Sequence, residues 1–338
     1  MKSIKLITLL IFASFAILGF SQDAQAGFSA PYEISDTTNG GDCIGIGSWD
    51  AATKTCVVQG DLDCGSLGAD DICIQILSDD IVFNCKGNQI FENDSTPSGI
   101  GISIDGVSGV KIKRCHLDNF GQGIFVNDSP SIILFNNNFT AIDEQAMRFS
   151  NTDNSYIVGN EALNNDVEQM LLYTSTKNNY LVGNKFNSGG SVAGFSVSEC
   201  INDSLIANSS NEVEPAGDGF NITNCTRSDF INNSASLNSG DGIQITGGSR
   251  STVFANIAED SVIRHGFLVS STTSSYSFEH NIANDNGSSI NFFGFIDNSS
   301  GNKTAGTANT YEGNTCDDNF GGGSFPDGIC AGDNPPPP

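Results

Sequence analysis

An asparagine returns at positions 137, 160, 184, 208, 233, 256 and 281, in steps of 23 to 25 residues, and this period constrains the chain more than any other feature. It closes six related strings: Tyr156-Ile-Val-Gly-Asn160, Tyr180-Leu-Val-Gly-Asn184, Ser204-Leu-Ile-Ala-Asn208, Asp229-Phe-Ile-Asn-Asn233, Thr252-Val-Phe-Ala-Asn256 and Ser277-Phe-Glu-His-Asn281. A second register opens on glycine, in Gly123-Ile-Phe-Val, Gly194-Phe-Ser-Val, Gly219-Phe-Asn-Ile, Gly242-Ile-Gln-Ile and Gly266-Phe-Leu-Val. Each unit therefore holds at least two short alternations with the two-residue period of a strand, joined by polar turns. One unit cannot bury an apolar face alone, but stacked units can. The period predicts a solenoid of parallel strands, with Phe220, Ile243 and Phe267 in one inward column and Ile222, Ile245 and Val269 in the next. The recurring asparagine suits a tight turn, where it would take the left-handed backbone region and bond along a stack of like amides. Leucine-rich repeats share the period, but leucine is sparse here and each unit shows two strands.

Charge narrows the partners. With 39 acidic against 14 basic side chains and a formal net charge of −25, the chain lacks the basic face that nucleic acid or an anionic membrane surface demands. Lys2 and Lys5 precede an apolar run from Leu6 to Phe20, followed by Ala24-Gln25-Ala26, so residues 1–26 are expected to be a cleaved signal peptide, with an uncleaved anchor as the alternative. No second stretch approaches the roughly 20 apolar residues that cross a bilayer, so no membrane insertion is expected after cleavage. The mature protein is expected to be secreted, periplasmic or on the cell surface.

Export makes the ten cysteines disulfide candidates. In chain order they couple as Cys43 with Cys56, Cys64 with Cys73, Cys85 with Cys115, Cys200 with Cys225, and Cys316 with Cys330, although sequence order does not determine connectivity. Stacking gives two couples a geometric reason. Cys200 and Cys225, and also Cys85 and Cys115, share a register in consecutive units, and adjacent strands about 4.8 Å apart bring such residues into disulfide range.

Residues Ile81-Val-Phe-Asn-Cys-Lys-Gly-Asn-Gln-Ile90, Gly99-Ile-Gly-Ile-Ser-Ile-Asp105 and Val110-Lys-Ile-Lys-Arg-Cys115 resemble the NosD-like group of the pectin-lyase-like superfamily, which carries the carbohydrate-binding and sugar hydrolysis (CASH) domain. The resemblance runs from roughly residue 72 to 300. It implies an all-β, right-handed parallel β-helix, of about nine or ten rungs at the observed period, with disulfide-bonded end caps. The expected organisation is an N-terminal cap over 27–74, the β-helix over 75–300, a C-terminal cap over 301–334 and a proline tail over 335–338. The family's members include lyases, hydrolases, epimerases and proteins with no known chemistry, so fold alone does not name an activity.

Just before the glycine register, residues 122, 145, 169, 193, 218, 241 and 265 read Gln, Gln, Gln, Ala, Asp, Asp and His. Asp218, Asp241 and His265 should therefore stand on successive rungs with Arg264 beside them, and these four are the catalytic candidates. Paired carboxylates one rung apart suit glycosidase chemistry, and a carboxylate with His or Arg suits proton transfer. The competing reading is structural: Gly-Asp-Gly is turn chemistry, with Asp bonding nearby amides and Gly supplying unusual dihedrals. Polygalacturonase-like members carry paired aspartates, a Gly-His-Gly and an Arg-Ile-Lys. This chain has Arg264-His265-Gly266 and no Arg-Ile-Lys.

The leading expectation is a binder of polysaccharide or surface glycan, with Glu144, Arg148, Glu168, Tyr173 and Gln244 as contact candidates alongside Phe125 and His265. A polysaccharide lyase, hydrolase or epimerase is the first alternative and a structural or adhesive surface protein the second. No cofactor is required; calcium is the one conceivable ion, through hard carboxylates such as Glu144, Glu168, Asp218 and Asp241, although no calcium-loop motif is present. Copper has little to bind: three histidines, three methionines including Met1, and cysteines expected in bridges. Asn127, Asn138, Asn208, Asn221 and Asn298 head Asn-x-Ser/Thr strings, which in so asparagine-rich a chain are mostly accidents of composition.

Overall fold

A computed structural model describes residues 30–165, 168–189, 193–213 and 216–331, with side chains described throughout these except at 164, 165, 168–173, 188 and 189. The expected signal peptide and proline tail lie outside the described residues. The described residues coil through three sheets of twelve strands each, visited in repeating order between the two end turns. The first sheet runs from Tyr32–Ile34 to Ser324–Phe325, the second from Gly47–Asp50 to Thr310–Glu312, and the third from Leu62–Asp63 to Cys330–Ala331. Neighbouring strands within each sheet are parallel, apart from the antiparallel pair Gly47–Asp50 with Thr55–Val58. The expected parallel β-helix is therefore what the chain forms. Between residues 72 and 300 the first sheet holds ten strands, and chain on either side adds one strand at each end.

Burial follows the two-residue period. Phe220, Ile243 and Phe267 pair in register and are buried, as are Ile222, Ile245 and Val269 beside them. Aromatic rings continue these columns: Phe195 stacks on Phe220 at 4.7 Å between centroids, and Phe267 on Phe295 at 4.1 Å. The glycine register has a steric cause. A Cβ on Gly219 would come within 2.6 Å of the Gly242 carbonyl oxygen and 2.7 Å of the Ala235 Cβ, so the first sheet begins too close to the third for any side chain.

The recurring asparagines are buried and form a continuous ladder. Each Nδ2 donates to the Oδ1 of the asparagine one rung on, at 2.9–3.1 Å from Asn137 through Asn281. The last step reaches Asn314 across a 33-residue unit that the regular period did not include. Each Oδ1 also accepts the backbone N–H of the preceding ladder residue, and each Nδ2 also reaches a backbone carbonyl, as Asn208 does to Leu181. One expectation is corrected here. The left-handed residue is the one before the ladder, namely Asn136, Gly159, Gly183, Ala207, Asn232, Ala255 and His280. That turn aims the following asparagine inward, which extended backbone permits and which burial requires to be fully bonded.

Disulfides join all five expected pairs. Cys85–Cys115 and Cys200–Cys225 tie rung to rung with Cα atoms 4.7 and 4.5 Å apart. Replacing Cys200 and Cys225 together by alanine should lower stability by about 2–4 kcal/mol. A melting temperature equal to that of the parent would show that this bridge is no staple.

Candidate functional site

The polar column lies at the leading edge of the first sheet, and the register corrects one of its members. Gln122 pairs with Gln145, Gln145 with Glu168, and Glu168 with Ala193, so Glu168 occupies the place expected for Gln169. The repeated Glu-Gln pair at 144–145 and 168–169 suggests the other alignment. The backbone register decides: it pairs Met147 with Met170 and Gln145 with Glu168, one residue away from that alignment. The side chains of Glu168 and Tyr173 lie outside the described set; Tyr173 takes the register of Ser150.

Asp218, Asp241 and His265 do stand on successive rungs, and each is used by the rung that follows. Asp218 Oδ1 accepts the Asp241 N–H at 2.8 Å, Asp241 Oδ1 accepts the His265 N–H at 2.9 Å, and His265 Nδ1 accepts the Phe293 N–H at 2.9 Å. The imidazole is thereby fixed as the neutral tautomer with its proton on Nε2, and it lies parallel to the Phe293 ring. Burial pushes Asp218 up to about 6, opposed by the Asp241 amide and by the charge of Arg264. Burial and then the adjacent Asp218 push Asp241 up to about 7. Burial holds His265 down at about 4. Asp241 is fully buried and its Oδ2 has no hydrogen-bond partner among the described residues, whereas Asp218 is partly exposed and Arg264 exposed. Asp241 can therefore tune Asp218 but cannot itself touch a polysaccharide.

The flanking glycines have a different origin from the one expected. Gly219, Gly240 and Gly242 are not in the left-handed region; a Cβ on Gly240 would run into Asp218 Oδ1 and the Gly217 backbone. Space requires glycine there, and unusual dihedrals do not.

The other candidates lie farther along the same outer face. Gln122 Nε2 donates to Glu144 Oε2 at 2.7 Å. Arg148 is one rung from Phe125 and its guanidinium carbon stands 5.5 Å from the ring centroid, a cation–π contact that presents a flat, amphipathic surface. Gln244 pairs with Asn221 in the same outward column, several rungs away, so it extends the face and does not join the Arg148 cluster. Beyond them Asn127 donates to Asp105 at 2.8 Å and Asn151 to Asp128 at 2.9 Å, polar pairs that single-residue motifs do not expose. Their signal in the sequence is an Asp or Asn at the end of the strands Ile100–Asp105 and Gln122–Asn127, or just past the end of Gln122–Asn127 and Gln145–Ser150.

Several solved structures share this architecture. They include the periplasmic alginate epimerase AlgG, with 13% identity, a TM-score of 0.53 and coverage of 82% of this chain and 76% of that one. The A-module of the mannuronan C-5 epimerase AlgE6 of Azotobacter vinelandii matches with 14% identity and a TM-score of 0.57, covering 88% and 96%. The Dettilon tailspike protein matches with 11% identity and a TM-score of 0.56, covering 86% and 67%. At such identities the likeness is one of fold. Comparison with curated proteins gives no match.

A family model described as periplasmic copper-binding protein (NosD) matches residues 81–262. The donors here do not suit copper. Every cysteine is in a disulfide and Met147 is buried among core side chains. His116 Nε2 bonds Thr140, His265 Nδ1 accepts an amide, and His280 packs edge-on to Phe254. Among the described residues no three His, Cys, Asp or Glu side chains gather at one point. Membership rests on the extent of the match: the family model covers residues 81–262, more than half of the chain, and the chain belongs to the NosD family.

Proposed function

We propose that this is an exported, non-catalytic carbohydrate-binding β-helix whose ligand, a polysaccharide chain, lies along the outer face of the first sheet. The observation that carries the reading is the Arg148–Phe125 platform, set among in-register polar side chains such as Asn127, Ser150, Asn221 and Gln244. A sugar ring can lie on the flat surface while its hydroxyls bond the neighbouring amides and hydroxyls. The epimerase and tailspike neighbours, which share the fold, make a carbohydrate ligand the natural class. Five disulfides suit an oxidising compartment outside the cytoplasm, and the net charge of −25 favours neutral glycans over anionic ones.

The test is a panel of polysaccharides scored for both binding and product release. Binding of a neutral glycan without new reducing ends or unsaturated products is expected. Phe125→Ala and Arg148→Ala should each weaken binding about tenfold, the loss of about 1.4 kcal/mol. Absence of any glycan binding would leave a structural or adhesive role instead.

One observation favours an enzyme as the second reading. Asp218 is partly exposed, raised to about 6, backed by buried Asp241 and flanked by exposed Arg264, an arrangement able to exchange a proton near neutral pH. If glycan turnover is detected, Asp218→Asn should reduce it by about 100-fold or more with binding retained. Turnover indifferent to that change would remove the column from catalysis.

A further inference from the structure

The outer face of the second sheet carries an apolar stripe that the proposed glycan face does not use. Its three-residue strands bury the middle side chain and turn the first and third outward. Phe135, Val158, Val182, Ile206, Ile231 and Phe254 hold the third position on six successive rungs, in register. All six are at least partly exposed, Phe135 by 41%. In the adjacent outward column Tyr156 and Tyr180, 48% and 39% exposed, stack with centroids 5.1 Å apart. A row of aliphatic and aromatic side chains is a costly surface to leave in water, and an exported chain gains by covering it.

We propose that this stripe is the interface of an antiparallel two-fold dimer, its occupant a second copy of the chain. The charge pattern argues for the copy and for its direction. Lys113 holds the rung before Phe135 and Glu279 the rung after Phe254 in the same column. Neither has a salt-bridge partner in its own chain among the described residues. A two-fold axis between Val182 and Ile206, perpendicular to the coil, sets Lys113 against Glu279 of the second copy and Phe135 against its Phe254. It sets Tyr156 against the second copy's Asp229 and Tyr180 against its Ser204, phenol donors facing acceptors. A two-fold axis along the coil would instead oppose Lys113 to Lys113 and Glu279 to Glu279. The sequence of the stripe is thus self-complementary in one orientation only, as an isologous contact requires.

Seven rung steps of about 4.8 Å by a width of roughly 15 Å give on the order of 500 Å² per copy, below the roughly 800 Å² of tight complexes. The dimer is accordingly a concentration-dependent one. It leaves the first sheet's outer face open, so its fate is independent of the glycan reading.

Sedimentation equilibrium of the full exported chain at physiological ionic strength, where long-range repulsion between copies is largely screened, provides the test. A monomer–dimer equilibrium is expected, abolished by Ile206→Glu with the circular dichroism spectrum unchanged. Lys113→Glu and Glu279→Lys should each weaken the dimer about tenfold, and the two together should restore it. A monomer at all concentrations, a dimer indifferent to Ile206→Glu, or a charge-swapped double variant no tighter than the singles would each overturn the proposal. So would loss of the stripe's exposure to lipid vesicles or another protein in place of self-association.

Discussion

Asn208→Asp should destabilise the protein by about 3–5 kcal/mol at neutral pH, the largest single-residue loss expected anywhere in the coil. The side chain is 1% exposed and makes four hydrogen bonds. Its Oδ1 accepts the Asn184 backbone N–H and the Asn184 Nδ2, both at 3.0 Å. Its Nδ2 donates to the Leu181 carbonyl at 2.9 Å and to Asn233 Oδ1 at 3.0 Å. Aspartate keeps the accepting oxygen and the shape, but turns its second oxygen onto two acceptors. The Leu181 carbonyl and Asn233 Oδ1 then each lose a donor, Asn233 Oδ1 keeping only the backbone N–H of residue 208, and a charge is left in a site without a cation. Protonation would return one donor, so the loss should shrink as pH falls. Denaturant unfolding with hydrogen exchange at residues 184, 208 and 233 reads the effect locally, which matters because solenoids can open in parts. A loss below about 1 kcal/mol would mean that the ladder is not a principal tie between rungs. Burial also removes Asn208 from the possible glycosylation acceptors.

Asp203→Asn should do the reverse and stabilise the protein by about 1–3 kcal/mol at pH 7.5. A second buried ladder runs through Ser155, Asn179, Asp203, Ser228 and Ser251, each side chain accepting the N–H of the preceding member. Asp203 is fully buried, and burial raises it to about 6 despite hydrogen bonds from the Asn179 amide and the Thr176 hydroxyl. Above its ordinary value of 3.8 the unfolded chain holds this carboxyl ionised, while the folded chain retains the proton until about pH 6. The folded state thus binds more protons through that window, and stability falls as pH rises across it, reaching its full penalty above about pH 6. Asparagine carries no such penalty. The precedent is Asn179 one rung earlier, whose Nδ2 donates to the Thr152 carbonyl. The gain should vanish near pH 4. Asp218 and Asp241, raised by the same cause, and His265, lowered and therefore of opposite sign, are common to both proteins and drop out of the difference. A variant less stable than the parent at pH 7.5, or a gap that does not change with pH, would contradict the account.

These two ladders also show what was legible in the residues. The first repeats a single letter, Asn, so its period, the inward columns and the rung-to-rung cysteine pairs follow from stacking. The second alternates Ser, Asn and Asp, which are interchangeable as acceptors for an amide but different as letters, so no periodic search isolates Asp203. The placement of Glu168 over Gln145 follows the backbone register that pairs Met147 with Met170, which a local Glu-Gln repeat obscures. Asp218, Asp241 and His265 were visible as a column. Their engagement with successive backbone amides, and the full burial of Asp241, depend on where the turn points each side chain, and that is set by neighbouring rungs.

Glycan-dependent protection tests the account's central claim most directly. With a saturating polysaccharide from the binding panel, side-chain oxidation and arginine modification should be suppressed at Phe125 and Arg148 on the first sheet. Tyr156 and Tyr180 on the second sheet should react as in its absence at protein concentrations below dimer formation. Protection at those tyrosines with Phe125 and Arg148 still reactive would place the ligand on another face and contradict the account.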